Sequence, residues 1–151
     1  MTPKERARLI AETMLSREGT GPAWGVEIED IDEGYARISM TLRADMLNGH
    51  GIAHGGMLFS LADTAFAYAC NSYNHRAVAS GVDINFVAPV QLGDILTAHG
   101  HARQQGGRNG VYDIEVTNPD GQTAALPFNP PPQVRVKSTP LVQPVLHTPG
   151  G

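Results

Sequence analysis

The stretch Met57-Leu58-Phe59-Ser60-Leu61-Ala62-Asp63-Thr64-Ala65-Phe66-Ala67-Tyr68-Ala69-Cys70 carries a single charge, Asp63, and is otherwise apolar or small around every turn of a helix. A helix that is hydrophobic all round is a buried helix, so the remainder of the chain must enclose it. A carboxylate inside such a helix is costly unless it is paired or has chemical work to do. Just upstream lies His50-Gly51-Ile52-Ala53-His54-Gly55-Gly56, a glycine-rich helix entry. The first N–H groups of a helix have no intrahelical acceptor and favour negative charge, which makes Gly55 and Gly56 candidate donors to an oxyanion. An acid and oxyanion donors on one element point to acyl chemistry.

At 151 residues the chain is long enough for one domain with a real core. The net charge is −4 and no Lys/Arg stripe is present, which argues against nucleic acid or a membrane surface as partner. Cys70 is the only cysteine, so no internal disulfide can form and a reducing, cytoplasmic setting is expected. In an Ala-rich helix, Cys70 reads as a small core residue rather than a nucleophile. Met1 to Leu15 mixes Lys4, Arg6 and Arg8 with Glu5 and Glu12. It is no signal peptide, and no segment is predicted to span a bilayer.

Residues 3 to 17 read as an amphipathic helix opened by Pro3, with Leu9, Ile10, Thr13 and Met14 on one side and Gly19, Gly21 and Pro22 ending it. From Ala23 to Leu42 the pattern is strand, interrupted by a turn or bulge at Asp32-Glu33-Gly34. The central helix is predicted from about Ala53 to Tyr73. Strands follow at Val78–Val87, Ile95–Arg103 and Gly110–Thr117, and the Asn118-Pro119-Asp120-Gly121 turn leads into Gln122–Leu126. The fold class is α+β, one helix against an antiparallel sheet. Residues 127–151 contain seven prolines, including Pro130-Pro131-Pro132, and read as a flexible tail.

Ser60, Asp63, Thr64, Ala67 and Asn71 form a polar-to-small stripe at helical spacing. The bland alternative for Asp63 is a solvated face or a tie to a neighbouring hydroxyl. The bland alternative for Gly55 and Gly56 is relief of a tight turn. Gly49-His50-Gly51 lacks the spacing and the βαβ setting of a dinucleotide fingerprint. His50 and His54 stand four apart, but no Cys, Asp or Glu nearby completes a metal site, and no metal is expected. Ser60 and Ser80 lie in no nucleophile elbow. Gly55 and Asp63 are eight residues apart, about 12 Å along a helix axis. For both to act on one carbonyl they must come from two antiparallel copies, which predicts a homo-oligomer with its site between subunits.

The chain resembles the hotdog-fold acyl-CoA thioesterases, specifically the phenylacetate-pathway type. The resemblance rests on Asp45-Met46-Leu47-Asn48-Gly49-His50, His54-Gly55-Gly56, Phe59 to Ala67, Cys70 to Tyr73, Asp83-Ile84-Asn85-Phe86 and Gly110 to Val116, within residues 5 to 126. It implies a hotdog fold, a long central helix wrapped by a curved antiparallel sheet of about five or six strands, in a dimer or dimer of dimers. It further implies that Asp63 is the catalytic carboxylate, as nucleophile or general base, and that Gly55 gives the oxyanion N–H with His54 beside it. Asn48 would line the pocket. Gly56, Thr64, Phe66 and Tyr73 would meet the substrate, and the coenzyme A arm would run near Asn85, Phe86 and Arg108. Coenzyme A is then part of the substrate and no cofactor is implied.

The resemblance stops at Leu126, where Pro127-Phe128-Asn129-Pro130 replaces the expected continuation of an internal strand, as a change of reading frame would leave it. The expected activity is hydrolysis of an aryl-acetyl-CoA, phenylacetyl-CoA or a hydroxylated relative, by a hotdog domain over 1–126 with a tail over 127–151. Two other readings remain open at this point. One is a hotdog acyl-CoA hydratase or dehydratase using Asp45 and His50. The other is a non-catalytic acyl-CoA-binding module.

Overall fold

The computed structural model describes residues 1–86, 88–106, 109–121, 123–125, 134–140 and 145–146. Helix α1, Pro3–Arg17, starts on a capping box: Glu5 N–H donates to Thr2 Oγ1 at 3.1 Å, and Thr2 N–H donates to Glu5 Oε2 at 2.7 Å. Its buried face is Ala7, Ile10 and Ala11. Leu9, expected inward, is 40% exposed, because the i, i+3, i+4 set starting at Ala7 runs one residue behind the set that contains Leu9. The Gly19–Pro22 breaker region holds a five-residue helix, α2, Thr20–Trp24.

Strands β1 (Glu27–Asp32) and β2 (Tyr35–Thr41) form a hairpin around Gly34, whose φ of +72° suits glycine. Helix α3, Gly55–Asn71, is shorter than expected by two residues at each end. It is followed by β3 (Ala77–Ile84), β4 (Ile95–Gly106), β5 (Asn109–Thr117), β6 (Thr123–Ala125) and β7 (Val134–Pro140). The antiparallel sheet has the order β1-β2-β4-β5-β7-β3, with β6 paired to β5 beside this path.

Ala36, Ile38 and Met40 of β2, Leu96 and Ala98 of β4, and Tyr112, Ile114 and Val116 of β5 are buried with Leu61, Ala62, Ala65, Phe66 and Ala69 of α3. The end of α3 is tied to both flanks of the sheet. Gly34 N–H donates to Ser72 Oγ at 2.7 Å, while Asn71 accepts from Ala77 N–H at 2.9 Å and donates to Ala77 O at 3.1 Å. The Asn71 carboxamide thus satisfies both backbone groups of the first β3 residue.

Residues 134–140 correct the expectation of a flexible tail. β7 lies inside the sheet, pairing with β3 on one side and β5 on the other, and Val136 is fully buried. The alternation Val134-Arg135-Val136-Lys137 is a strand pattern, overlooked among the prolines. β5 pairs with β4 along one edge, so β6 and β7 share the other. Val116 faces Ala125 and Ile114 faces Val134: two steps along β5 answer to nine along the partner, seven more than a continuous ladder needs. Beyond β7, Leu146 N–H donates to Asn74 Oδ1 at 2.8 Å, Asn74 Nδ2 donates to Leu146 O at 3.3 Å, and Val145 is buried. Pro127 to Pro132 lie outside the described residues.

The placement of β7 is tested by chemical denaturation of two variants. Val136→Asp puts an unpaired charge in the core and should cost about 3–5 kcal/mol, while exposed Lys137→Ala should stay within about 0.5 kcal/mol. A flexible segment would leave both variants at the parental midpoint.

Candidate active site

The glycine-rich entry is held as a small hairpin. Leu47 bridges Ala53, Asn48 N–H donates to Ile52 O at 2.8 Å, His54 N–H donates to Met46 O at 2.9 Å, and Ala53 N–H donates to Val90 O at 2.9 Å. Asn48 Oδ1 accepts from His50 N–H at 2.9 Å and Ile52 N–H at 3.3 Å, an Asx-type turn. Its amide nitrogen has no acceptor among the described residues. The hairpin delivers His54 as the N-cap of α3, with Nδ1 accepting from Gly56 N–H at 2.9 Å. An Nδ1 that accepts is unprotonated, so in the neutral ring the proton is on Nε2, which can donate.

This corrects the expectation that Gly55 and Gly56 both present free N–H groups. Gly56 N–H is spent on the cap, and Gly55 N–H alone is left without an acceptor among the described residues. Gly55 is one of the residues that line a cavity of about 500 Å³. That cavity is lined as well by Asn48, Ile52, Ala53 and Leu58 around the helix entry and by Phe86, Ala88, Pro89 and Val90 after β3. Among the described residues the walls are apolar, with Asn48 as the only polar side chain. Sequence reasoning missed Ile52, Leu58 and the 88–90 segment. That segment read only as a turn between strands, and nothing local signals that it returns to the start of α3.

Asp63 stands elsewhere. It is partly buried on the one stripe of α3 that the fold leaves half open, with Ser60 and Ala67, and has no hydrogen-bond or ion-pair partner among the described residues. Burial raises its carboxyl above the ordinary carboxylate range. Asp63 does not line the cavity around Gly55, as the separation along the helix requires. Thr64 and Asn71, expected on the same stripe, are buried, and the Thr64 hydroxyl donates back to Ser60 O at 2.8 Å.

The other expected contacts disperse. Phe66 is 1% exposed and packs edge-on against Tyr112 with centroids 5.4 Å apart, so it is a core residue and not a substrate contact within this chain. Tyr73 sits beyond the far end of α3, with its hydroxyl against Gly34. Asn85 follows β3, half-buried, next to Phe86. Arg108 lies outside the described residues. Asp45 is held by Arg43 through two contacts of 3.1 and 3.2 Å, and no bond joins it to His50 among the described residues, which removes the geometric basis for a hydratase pair. Burial, followed by the nearby Asp63, pushes the Cys70 thiol up to about 12. Cys70 is therefore an inert core residue. Among the described residues no three His, Cys, Asp or Glu side chains cluster as metal ligands, and no helix is long and apolar enough to cross a membrane.

An antiparallel sheet wrapped on one central helix, with an unpaired N–H at the helix start, defines the hotdog class of acyl-thioester proteins. The chain belongs to the thioesterase superfamily, whose family profile matches residues 50–125. It is 52% identical over 116 residues to the acyl-coenzyme A thioesterase PaaI of Escherichia coli K12, covering 77% of this chain and 83% of the relative. A putative esterase of Archaeoglobus fulgidus is 36% identical over 99 residues, covering 66% of this chain and 64% of that one. The solved E. coli PaaI protein from the phenylacetic acid degradation operon superposes with a TM-score of 0.88 at 43% identity, covering 95% of this chain and 99% of its own. That coverage extends past Leu126, where the sequence resemblance reads as ending. A thioesterase protein of Streptococcus pneumoniae, solved with coenzyme A, superposes with a TM-score of 0.71 at 27% identity over 78% of this chain and 90% of its own.

The unpaired Asp63 makes a stability prediction with a definite sign. Its folded-state affinity for protons exceeds that of the unfolded chain, so stability falls as pH rises from the ordinary carboxylate range to the raised value, then levels off. Asp63→Asn should therefore have the higher melting temperature at neutral pH. The gap should close on acidification toward the ordinary carboxylate range, as thermal melts across pH would record.

Proposed function

We propose that this chain hydrolyses an aryl-acetyl-CoA thioester, phenylacetyl-CoA or hydroxyphenylacetyl-CoA, to the free acid and coenzyme A. The observation that carries this reading is the single unpaired N–H at Gly55, facing an apolar cavity at the positive end of α3, on the same helix as an unpaired, half-buried Asp63. The names of the E. coli relatives support the thioester and the phenylacetic acid pathway. The apolar cavity suits an aryl group.

Gly55 N–H accepts the negative charge that develops on the thioester oxygen, with the His54 Nε2–H beside it as a second donor. Asp63 delivers the attacking oxygen, either its own, giving a mixed anhydride that water then hydrolyses to the free acid and the regenerated carboxylate, or that of a water whose proton it takes. The coenzyme A sulfur leaves as the thiolate. Asn48 holds the entry hairpin in shape through its carboxamide oxygen and offers its NH₂ to the cavity.

The acid that serves a given Gly55 comes from a second copy. β1, at one edge of the sheet, is covered by α1 through Lys4 to Asp30 at 2.9 Å and Arg6 to Glu33 at 2.8 Å. β3, at the other edge, has no strand on its outer side among the described residues and exposes Val78, an invitation to pair with another strand. A two-fold contact at β3 runs two α3 helices in opposite directions and sets Asp63 of one toward Gly55 of the other. No cofactor enters the reaction, and the lone reduced cysteine fits a cytoplasmic setting.

Thiol release from phenylacetyl-CoA tests the activity, and two variants test the division of labour. Asp63→Asn should lose about 10²-fold or more in kcat. Gly55→Pro removes the one N–H at a helix position that tolerates proline but also crowds Phe86. It is therefore read against Gly55→Ala, which crowds Phe86 and keeps the N–H, and should lose about 10²–10³-fold relative to that variant while remaining folded. Mixing the two inactive variants and allowing subunit exchange should restore about a quarter of parental activity, because half the dimers then hold one complete site of two. A parent that assembles and releases no thiol would instead favour the acyl-CoA-binding reading. Restored activity that fails to appear would overturn the shared site.

A further inference from the structure

Phe86 follows the end of β3 and reaches back over the start of α3. A methyl group placed on Gly55 would lie 3.0 Å from Phe86 Cζ and 3.3 Å from both Cε atoms. The nearest atom is the ring tip and the two Cε atoms are only slightly and equally farther, so Gly55 lies under the face of the ring near its tip. Phe86 is nonetheless 54% exposed and forms part of the cavity wall. A ring that meets Gly55 through the tip of one face and keeps about half of its surface exposed in the single chain is free to change rotamer on a fast timescale.

We propose that Phe86 is a swinging aromatic gate over the Gly55 donor that selects flat aryl acyl groups. Resting, its ring tip fills the space over Gly55 that the thioester must enter. Swung aside, it remains in the cavity wall and lies against the acyl group, where an aromatic pair gains more than an aromatic–aliphatic contact of equal area. Gly55 is matched to this ring, because any side chain there would prop the gate open. The inference rests on the hydrolase reading and adds the residue that sets its acyl preference.

The test compares kcat/KM for phenylacetyl-CoA and hexanoyl-CoA in the parent, Phe86→Tyr, Phe86→Leu and Phe86→Ala. The aryl-to-alkyl ratio should fall about three- to tenfold in the Leu and Ala variants and hold in Phe86→Tyr. Gly55→Ala should lower the ratio in the parent and have no further effect on it in the Phe86→Ala background, since the two act through one contact. An active parent whose ratio survives Phe86→Leu and Phe86→Ala overturns the gate and leaves the hydrolase reading intact. A parent that cleaves neither thioester overturns the hydrolase reading and the gate with it.

Discussion

Every other feature of this molecule follows from the burial of α3. Ten of its residues from Leu58 to Asn71 are buried, and each of Leu58, Leu61 and Phe66 left in water would forgo about 1.5–3 kcal/mol. The sheet therefore has to curve around the helix, and α1 has to close the side the sheet does not reach. Ala62, Ala65 and Ala69 let the backbones approach, and a methyl group added to Gly100 of β4 would lie 3.5 Å from the Ala65 carbonyl oxygen. Ser72 and Asn71 then lock the end of the helix to the β1–β2 turn and to β3. With its C-terminal end fixed at two points, the orientation of the whole helix is set, including the direction in which Asp63 looks.

The chemistry occupies the two places where burial is incomplete. At the helix start, the His54 cap uses one of the orphan N–H groups and leaves Gly55 as the remaining donor beside an apolar cavity. Two turns along, the stripe of Ser60, Asp63 and Ala67 stays half open, and among the described residues the carboxylate there has neither a cation nor a hydroxyl to settle it. Both are unsatisfied polar groups in largely apolar surroundings, and each is improved by a partner of complementary charge or by a substrate. Cys70, on the same face of the helix, has no such opening, and its thiol is held protonated.

Much of this was legible in the chain. Periodicity located α1, α3 and the strands up to Thr117, because each of those elements buries one face and alternates or repeats accordingly. The limits of legibility have physical causes. Leu9 was expected inward because a three-residue period alone cannot say which of two adjacent stripes meets the core. β7 was obscured because proline density describes a composition, whereas a strand is made by a short alternation that can sit within it. The two free N–H groups became one because a histidine side chain competes for them, a preference that only the rotamer reveals. Phe66 was taken for a contact to substrate, yet Tyr112, forty-six positions away, claims it for the core.

Sequence alone determined that one apolar helix must be enclosed, that it starts at a glycine-rich turn, and that Asp63 is the charge it has to accommodate. These are properties of neighbouring residues, set by solvation and helical geometry, and they survive any arrangement of the rest. Tertiary structure decided which donor stays free, that the segment 88–90 and Phe86 complete the cavity, and that the last strand lies within the sheet. Those outcomes depend on residues far apart in the chain competing for the same hydrogen-bonding groups and the same space. That competition is resolved only when the sheet closes on the helix.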